Sequence, residues 1–255
     1  MPGEGMTEDR STGRRDGEAN SAPPWSLPER TKVLRKGTAR IFLLSTVKGL
    51  LSEADLVEEA FEEYRPEGVG LHIAPEELKG LAAVVKGKVK ETSLSSYEKV
   101  YARNLGRFGE VQIPPPSLVR AYTLSKRDGV PMVSLDLDEA SYSSAYTKLV
   151  GGFTMVRQSL RLKRVNRKKF KAGTPADFAM EWDRAANKMR GYKKLESFRE
   201  RHMADRIEGM TKRYKRCLCI VEAERGAGIF EAMLSKGFRE DVDKREVKDA
   251  GERDR

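Results

Sequence analysis

The segment Cys217-Leu218-Cys219-Ile220-Val221, followed by Glu222-Ala223-Glu224-Arg225-Gly226-Ala227-Gly228, constrains this chain most. An apolar run of this length, closed by charge, is the signature of a strand buried on both faces, as in parallel sheets. The residues Ile229 to Leu234 then follow a helical apolar pattern. The segment therefore reads as a buried strand, a tight turn at the two glycines and a helix. Groups at the carboxyl end of such a strand face the crevice where open α/β sheets hold ligands. Period-two alternation at the strand end sets Glu222 and Glu224 on one face.

Composition bounds the rest. Hydrophobic residues make up 38% of the 255 residues, enough for a core once the charged ends are set aside. Residues 1–29 have no apolar period and are expected to be a disordered tail. Residues 239–255 mix both signs of charge and are expected to be a solvated C-terminal tail, leaving 30–238 as a single domain. No apolar run approaches the roughly 18–20 residues that cross a bilayer, and the first residues lack a secretory pattern. A cytoplasmic location is the expectation, with Cys217 and Cys219 both reduced. The net charge of +10 favours anionic partners, although so charged a surface also serves solubility alone.

Along the chain, Ile41-Phe42-Leu43-Leu44 reads as a buried strand and Ser52 as the cap of a helix with the stripe Leu56, Val57, Ala60, Phe61. Gly68 to Ile73 is a second strand, and Pro75 opens a second helix. Ser117–Arg127 reads as a helix, Met132–Leu137 as a strand and Ala140–Val150 as a helix. Thr174-Pro175 with Asp177 marks another helix start, with Trp182 on its apolar face as a core anchor. Leu195–Met210 is the helix before the last core strand. The fold class is α/β: a central, mainly parallel or mixed sheet flanked by helices, with a helical insertion at about 140–212.

These pieces, in this order, resemble the TraB family of pheromone-shutdown proteins, related to Tiki-type metalloproteases and more distantly to erythromycin esterases. The resemblance covers about residues 38–235 and rests on three strand ends. A family element like Gly-Thr-Ala-His is matched by Ser45-Thr46-Val47-Lys48, with Lys48 at the histidine. A strand ending in Glu-Leu is matched by Leu71-His72-Ile73, with His72 at the acid. A helix with Arg-Asp-x-x-Met and a strand ending in Gly-x-Gly-His-x-x-Gly-Ile are matched by Arg199 to Met203 and by Glu222 to Ile229, with Arg225 at the histidine. The resemblance implies the fold. Its metal-binding and proton-moving positions are replaced, and neither Lys nor Arg offers a metal a lone pair while protonated. Metallohydrolase activity is therefore not expected, and the chain reads as a pseudoenzyme.

Three readings of function follow. In the first, Lys48, His72, Arg199 and Arg225 form a strand-end pocket for an anionic small molecule or acidic partner, Arg225 binding bidentately. Lys48 and Arg225 could equally pair internally with Glu222 and Glu224. In the second, an enzymatic alternative, Glu222 or Glu224 is the catalytic carboxylate of a peptidase- or esterase-like hydrolase. No cofactor is expected, a divalent metal on Asp136 and Asp138 being the alternative. In the third, residues 157–171 bind nucleic acid or an acidic surface. Arg157, Arg161, Lys163, Arg164, Arg167, Lys168, Lys169 and Lys171 stand there without one acid. Spacing of Leu160, Leu162 and Val165 would pack part of that run on the core, its cations solvated.

Overall fold

The computed structural model describes residues 26–88 and 95–241. Six strands form one sheet: β1 (Thr31–Lys36), β2 (Ala39–Thr46), β3 (Gly68–Leu71), β4 (Met132–Ser134), β5 (Arg216–Glu222) and β6 (Arg239–Glu240). Their order is β4-β3-β5-β2-β1-β6. The four strands from β4 to β2 run parallel, while β1 is antiparallel to both of its neighbours. The central position of β5 explains its apolar run, because helices cover both of its faces.

Ten helices accompany the sheet among the described residues: α1 (Leu27–Arg30), α2 (Glu53–Tyr64), α3 (Pro75–Val85), α4 (Ser96–Leu105), α5 (Pro116–Arg127), α6 (Glu139–Leu149), α7 (Gly152–Val165), α8 (Pro175–Ala186), α9 (Arg190–Thr211) and α10 (Ala223–Ser235). On one face of the sheet, Phe42, Leu44, Leu71, Leu218 and Ile220 pack with Val57 and Phe61 of α2 and Leu118 and Tyr122 of α5. On the other, Ile41, Leu43, Cys217, Cys219 and Val221 pack with Met203 and Ile207 of α9 and Ile229 and Met233 of α10. Period-two alternation along β2 and β5 thus feeds two cores. A third cluster lies over the carboxyl ends of the strands, where Val47 and Leu50 meet Leu105 of α4, Val165 of α7 and Phe178 and Trp182 of α8.

The local signals explain most elements. Thr174 caps α8 by accepting from the Asp177 amide, and Pro175 occupies the first turn, where its missing amide hydrogen has no cost. The insertion before β5 is the helical run α6–α9. Cys217 and Cys219 are buried free thiols on one face of β5.

Four expectations are corrected. Val221-Glu222 passes into α10 at Ala223 without a glycine turn, so Gly226 and Gly228 lie inside the helix. They serve close packing: a Cβ at Gly226 would stand 2.6 Å from Ser45 Oγ, and one at Gly228 would collide with the Glu200 carboxylate. β3 and β4 end earlier than the sequence suggests, at Leu71 and Ser134. Both expected tails hold structure near the core: α1 begins at Leu27, and β6 pairs Arg239 and Glu240 with β1. The rest of those tails lies outside the described residues. Residues 157–165 form a helix, in which Val165 is buried, Leu162 half-buried and Leu160 55% exposed.

Candidate functional site

A cavity of about 590 Å³ opens at the carboxyl ends of β2 and β5. Its walls come from Lys48 and Gly49 after β2, Tyr97, Glu98 and Tyr101 of α4, Val111 and Ile113 to Pro115, Trp182 and Asp183 of α8, and Glu222 and Glu224. The parallel strands set Lys48 and Glu222 side by side, since Thr46 pairs with Glu222 across β2 and β5.

Glu222 is held as a carboxylate. His72 donates from Nε2 to Glu222 Oε1 at 3.0 Å and from Nδ1 to the Ile220 carbonyl at 3.3 Å. With both ring nitrogens facing acceptors, the imidazole is driven toward its doubly protonated form. Burial opposes that charge, but the Glu222 carboxylate outweighs it and raises the His72 pKa. Lys48 Nζ stands 3.8 Å from Glu222 Oε1, and that carboxylate raises the Lys48 pKa. Burial alone would raise Glu222, yet His72, Lys48 and Arg199 together hold it well below the usual carboxylate range.

Glu224 is the opposite case. It sits in the first turn of α10, and its Oε2 is buried without a hydrogen-bond partner. Burial, reinforced by the charge of Glu222, pushes its pKa up to about 7. Two carboxyls two residues apart are thus split between a charged form and one near half-protonation at neutral pH. Above them, Trp182 Nε1 donates to Tyr97 Oη. Burial pushes the Tyr97 phenol up to about 12 and the Tyr101 phenol higher still. The Tyr101 hydroxyl is also buried without a partner.

The other expected site residues lie elsewhere. His72 stands behind Glu222 and not on the cavity wall. Arg225 does not line the cavity either: it pairs with Asp183, and its Nη1 lies 3.2 Å from both Glu196 Oε2 and Glu200 Oε1. Arg199 pairs with Asp136 and donates from Nη1 to Glu196 Oε2 at 2.8 Å. The two guanidiniums therefore share Glu196 within a network of four carboxylates that joins the segment after β4 to α8, α9 and α10. In the expected anionic pocket, only Lys48 of the four named residues reaches the cavity. Asp136 is held by Arg199 and by the Leu137 amide. Asp138 caps α6 by accepting from the Ser141 amide at 2.7 Å. Among the described residues, no group of three or more His, Cys, Asp or Glu side chains could hold a metal ion. Of the basic run, Arg161 donates from Nε to the Ala185 carbonyl and Lys168 pairs with Glu181.

Sequence reasoning did not identify Tyr97, Glu98, Tyr101 or Asp183 as site residues. One signal was available: Ser95 and Glu98 form a reciprocal capping box that opens α4. The path of that helix over the strand ends has no local signal.

No family model matches this chain, and no curated protein matches it. Within the described residues no helix is long and apolar enough to cross a membrane. The chain is an α/β domain with a mixed, mostly parallel six-stranded sheet flanked by helices.

Proposed function

We propose that this chain is a TraB-like protein that binds a small ligand in the strand-end cavity, with Glu222 holding it by charge and Glu224 exchanging a proton as it binds. The observation that carries the reading is the buried, unpartnered Oε2 of Glu224, a residue of the cavity wall beside a carboxylate already charged. An orphaned buried oxygen is costly, and a ligand that supplies a hydrogen-bond donor would satisfy it. The lining charge narrows the class. Glu98, Asp183, Glu222 and Glu224 face one ammonium, that of Lys48, among the described lining residues. Trp182, Tyr97 and Tyr101 add aromatic walls, which suit an amine or guanidine. The convergence of Lys48, His72 and Glu222 at one sheet edge supports the TraB-like reading, since these come from the three resembling elements.

An anionic ligand is the second reading. The exposed ammonium of Lys48 at the cavity favours it. A hydrolase is the enzymatic form of either, with Glu224 as the proton carrier.

Calorimetry separates the two readings. Benzylamine and phenylguanidine would be titrated against benzoate and phenyl phosphate, near pH 7 and in two buffers of different ionisation enthalpy. The first reading expects the amines to bind with proton release from Glu224, and Glu224→Gln to abolish that release. Binding of benzoate or phenyl phosphate alone, lost in Lys48→Met, would replace it with the second.

A further inference from the structure

The three most exposed large apolar side chains among the described residues are Phe153 at 76%, Val156 at 63% and Leu160 at 55%. All three belong to α7. At 100° per residue they fall within a stripe about 60° wide on its outward side. Its inward side carries the buried Gln158 and Val165 and packs against α8, where Gln158 Nε2 donates to the Ala186 carbonyl. The stripe is not merely apolar. Arg157 and Arg164 flank it on one side and Lys163 on the other, all exposed and without an ion pair among the described residues. α7 contains no acid at all.

A second basic surface begins close by. The last residue of α6, Leu149, and the first turns of α9 border an open groove lined by Arg190, Lys193, Lys194 and Arg201, with the exposed Phe198 among them. No acidic side chain lines it. α7 starts at Gly152, three residues after Leu149, so its first turn lies near the Leu149 end of that groove.

We propose that the outward face of α7 and the nearby basic stripe of α9 dock this protein peripherally on an anionic lipid surface. Charge complementarity selects an anionic occupant. The apolar stripe selects lipid over nucleic acid: phosphate backbones reward Arg and Lys but offer nothing to Val156 and Leu160, whereas a bilayer interface buries Phe, Val and Leu while the headgroups meet the cations. The helix lies along the interface and does not span it, for it has 14 residues and buries Gln158 and Val165 against the protein.

The test is co-sedimentation of the full chain with vesicles of phosphatidylcholine alone and of phosphatidylcholine with phosphatidylserine. The expected result is salt-sensitive binding to the anionic vesicles only. The variant F153S/V156S/L160S should weaken it at least about tenfold with an unchanged circular dichroism spectrum, and R157E/K163E/R164E should abolish it. Failure to bind anionic vesicles would overturn the proposal. So would binding that F153S/V156S/L160S leaves unchanged. Tight binding of an RNA or DNA oligonucleotide that is indifferent to the apolar triple, with no vesicle binding, would assign the face to nucleic acid instead.

Discussion

Glu222 and Glu224 are separated by one alanine; burial raises both carboxyls, and the neighbouring charges drive them apart. Glu222 ends a strand and faces His72 and Lys48, while Glu224 turns into the helix and meets neither. The sign of the consequence is definite. Glu224 is an acid whose folded pKa, about 7, exceeds the ordinary value of 4.5. The native state then binds the extra proton between those values, so stability falls as pH rises through that window and the penalty is complete above it. Glu224→Gln mimics the protonated acid and should match the wild type near pH 5. At pH 8 it should be more stable, by on the order of 2–3 kcal/mol. Urea unfolding at the two pH values checks this, and an equal difference at both would remove Glu224's special role. The two glutamates were legible as site candidates because they close an apolar strand. Their opposite protonation was not legible, because His72 is the residue after β3, more than a hundred positions away.

At the scale of elements, Arg225 is the joint of the helical side. It leaves α10 and reaches Asp183 of α8 and Glu196 and Glu200 of α9 while itself only 5% exposed. Removing one partner of a buried network strands the others without compensation. Arg225→Met should therefore cost about 3–5 kcal/mol at neutral pH, and less at pH 5, where the freed carboxylates can take up protons. Equilibrium denaturation measures both, and an unchanged midpoint would mean that water already solvates the cluster. Elements were read well where a local device marks them. Thr174 caps α8, Pro75 opens α3 and the apolar run forms β5. β1 was passed over, although Gly37-Thr38 joins it to β2 in a two-residue loop with Gly37 at a φ of 60°. α10 was started late because two glycines look like a turn. Only its neighbours, Ser45 and Glu200, show that the missing Cβ atoms are there for close packing.

For the whole molecule, the buried charges at the sheet edge set the pH of greatest stability. The raised pKa of His72 gives a contribution that is complete below its ordinary value of 6.5 and is lost as pH rises through the folded value. The lowered pKa of Glu222 gives one that is complete above 4.5 and is lost as pH falls. Glu224 adds a loss toward alkaline pH. Thermal unfolding should accordingly peak on the acid side of neutrality, between the ordinary values of 4.5 and 6.5. A melting temperature climbing steadily from pH 6 to 8 would contradict this. The amino-acid sequence by itself determined the α/β class, the parallel core strands and the helical run before β5, because period, caps and apolar runs act over a few residues. It also placed Lys48, His72 and Glu222 at strand ends. Tertiary structure alone decided which charges meet. Arg199 and Arg225 are enclosed by carboxylates from two helices and the segment after β4, Glu224 lines the cavity, and α7 turns Phe153, Val156 and Leu160 outward. Those outcomes depend on contacts between residues far apart in the chain, where Coulomb attraction and burial act on distance in space and leave no trace in local spacing.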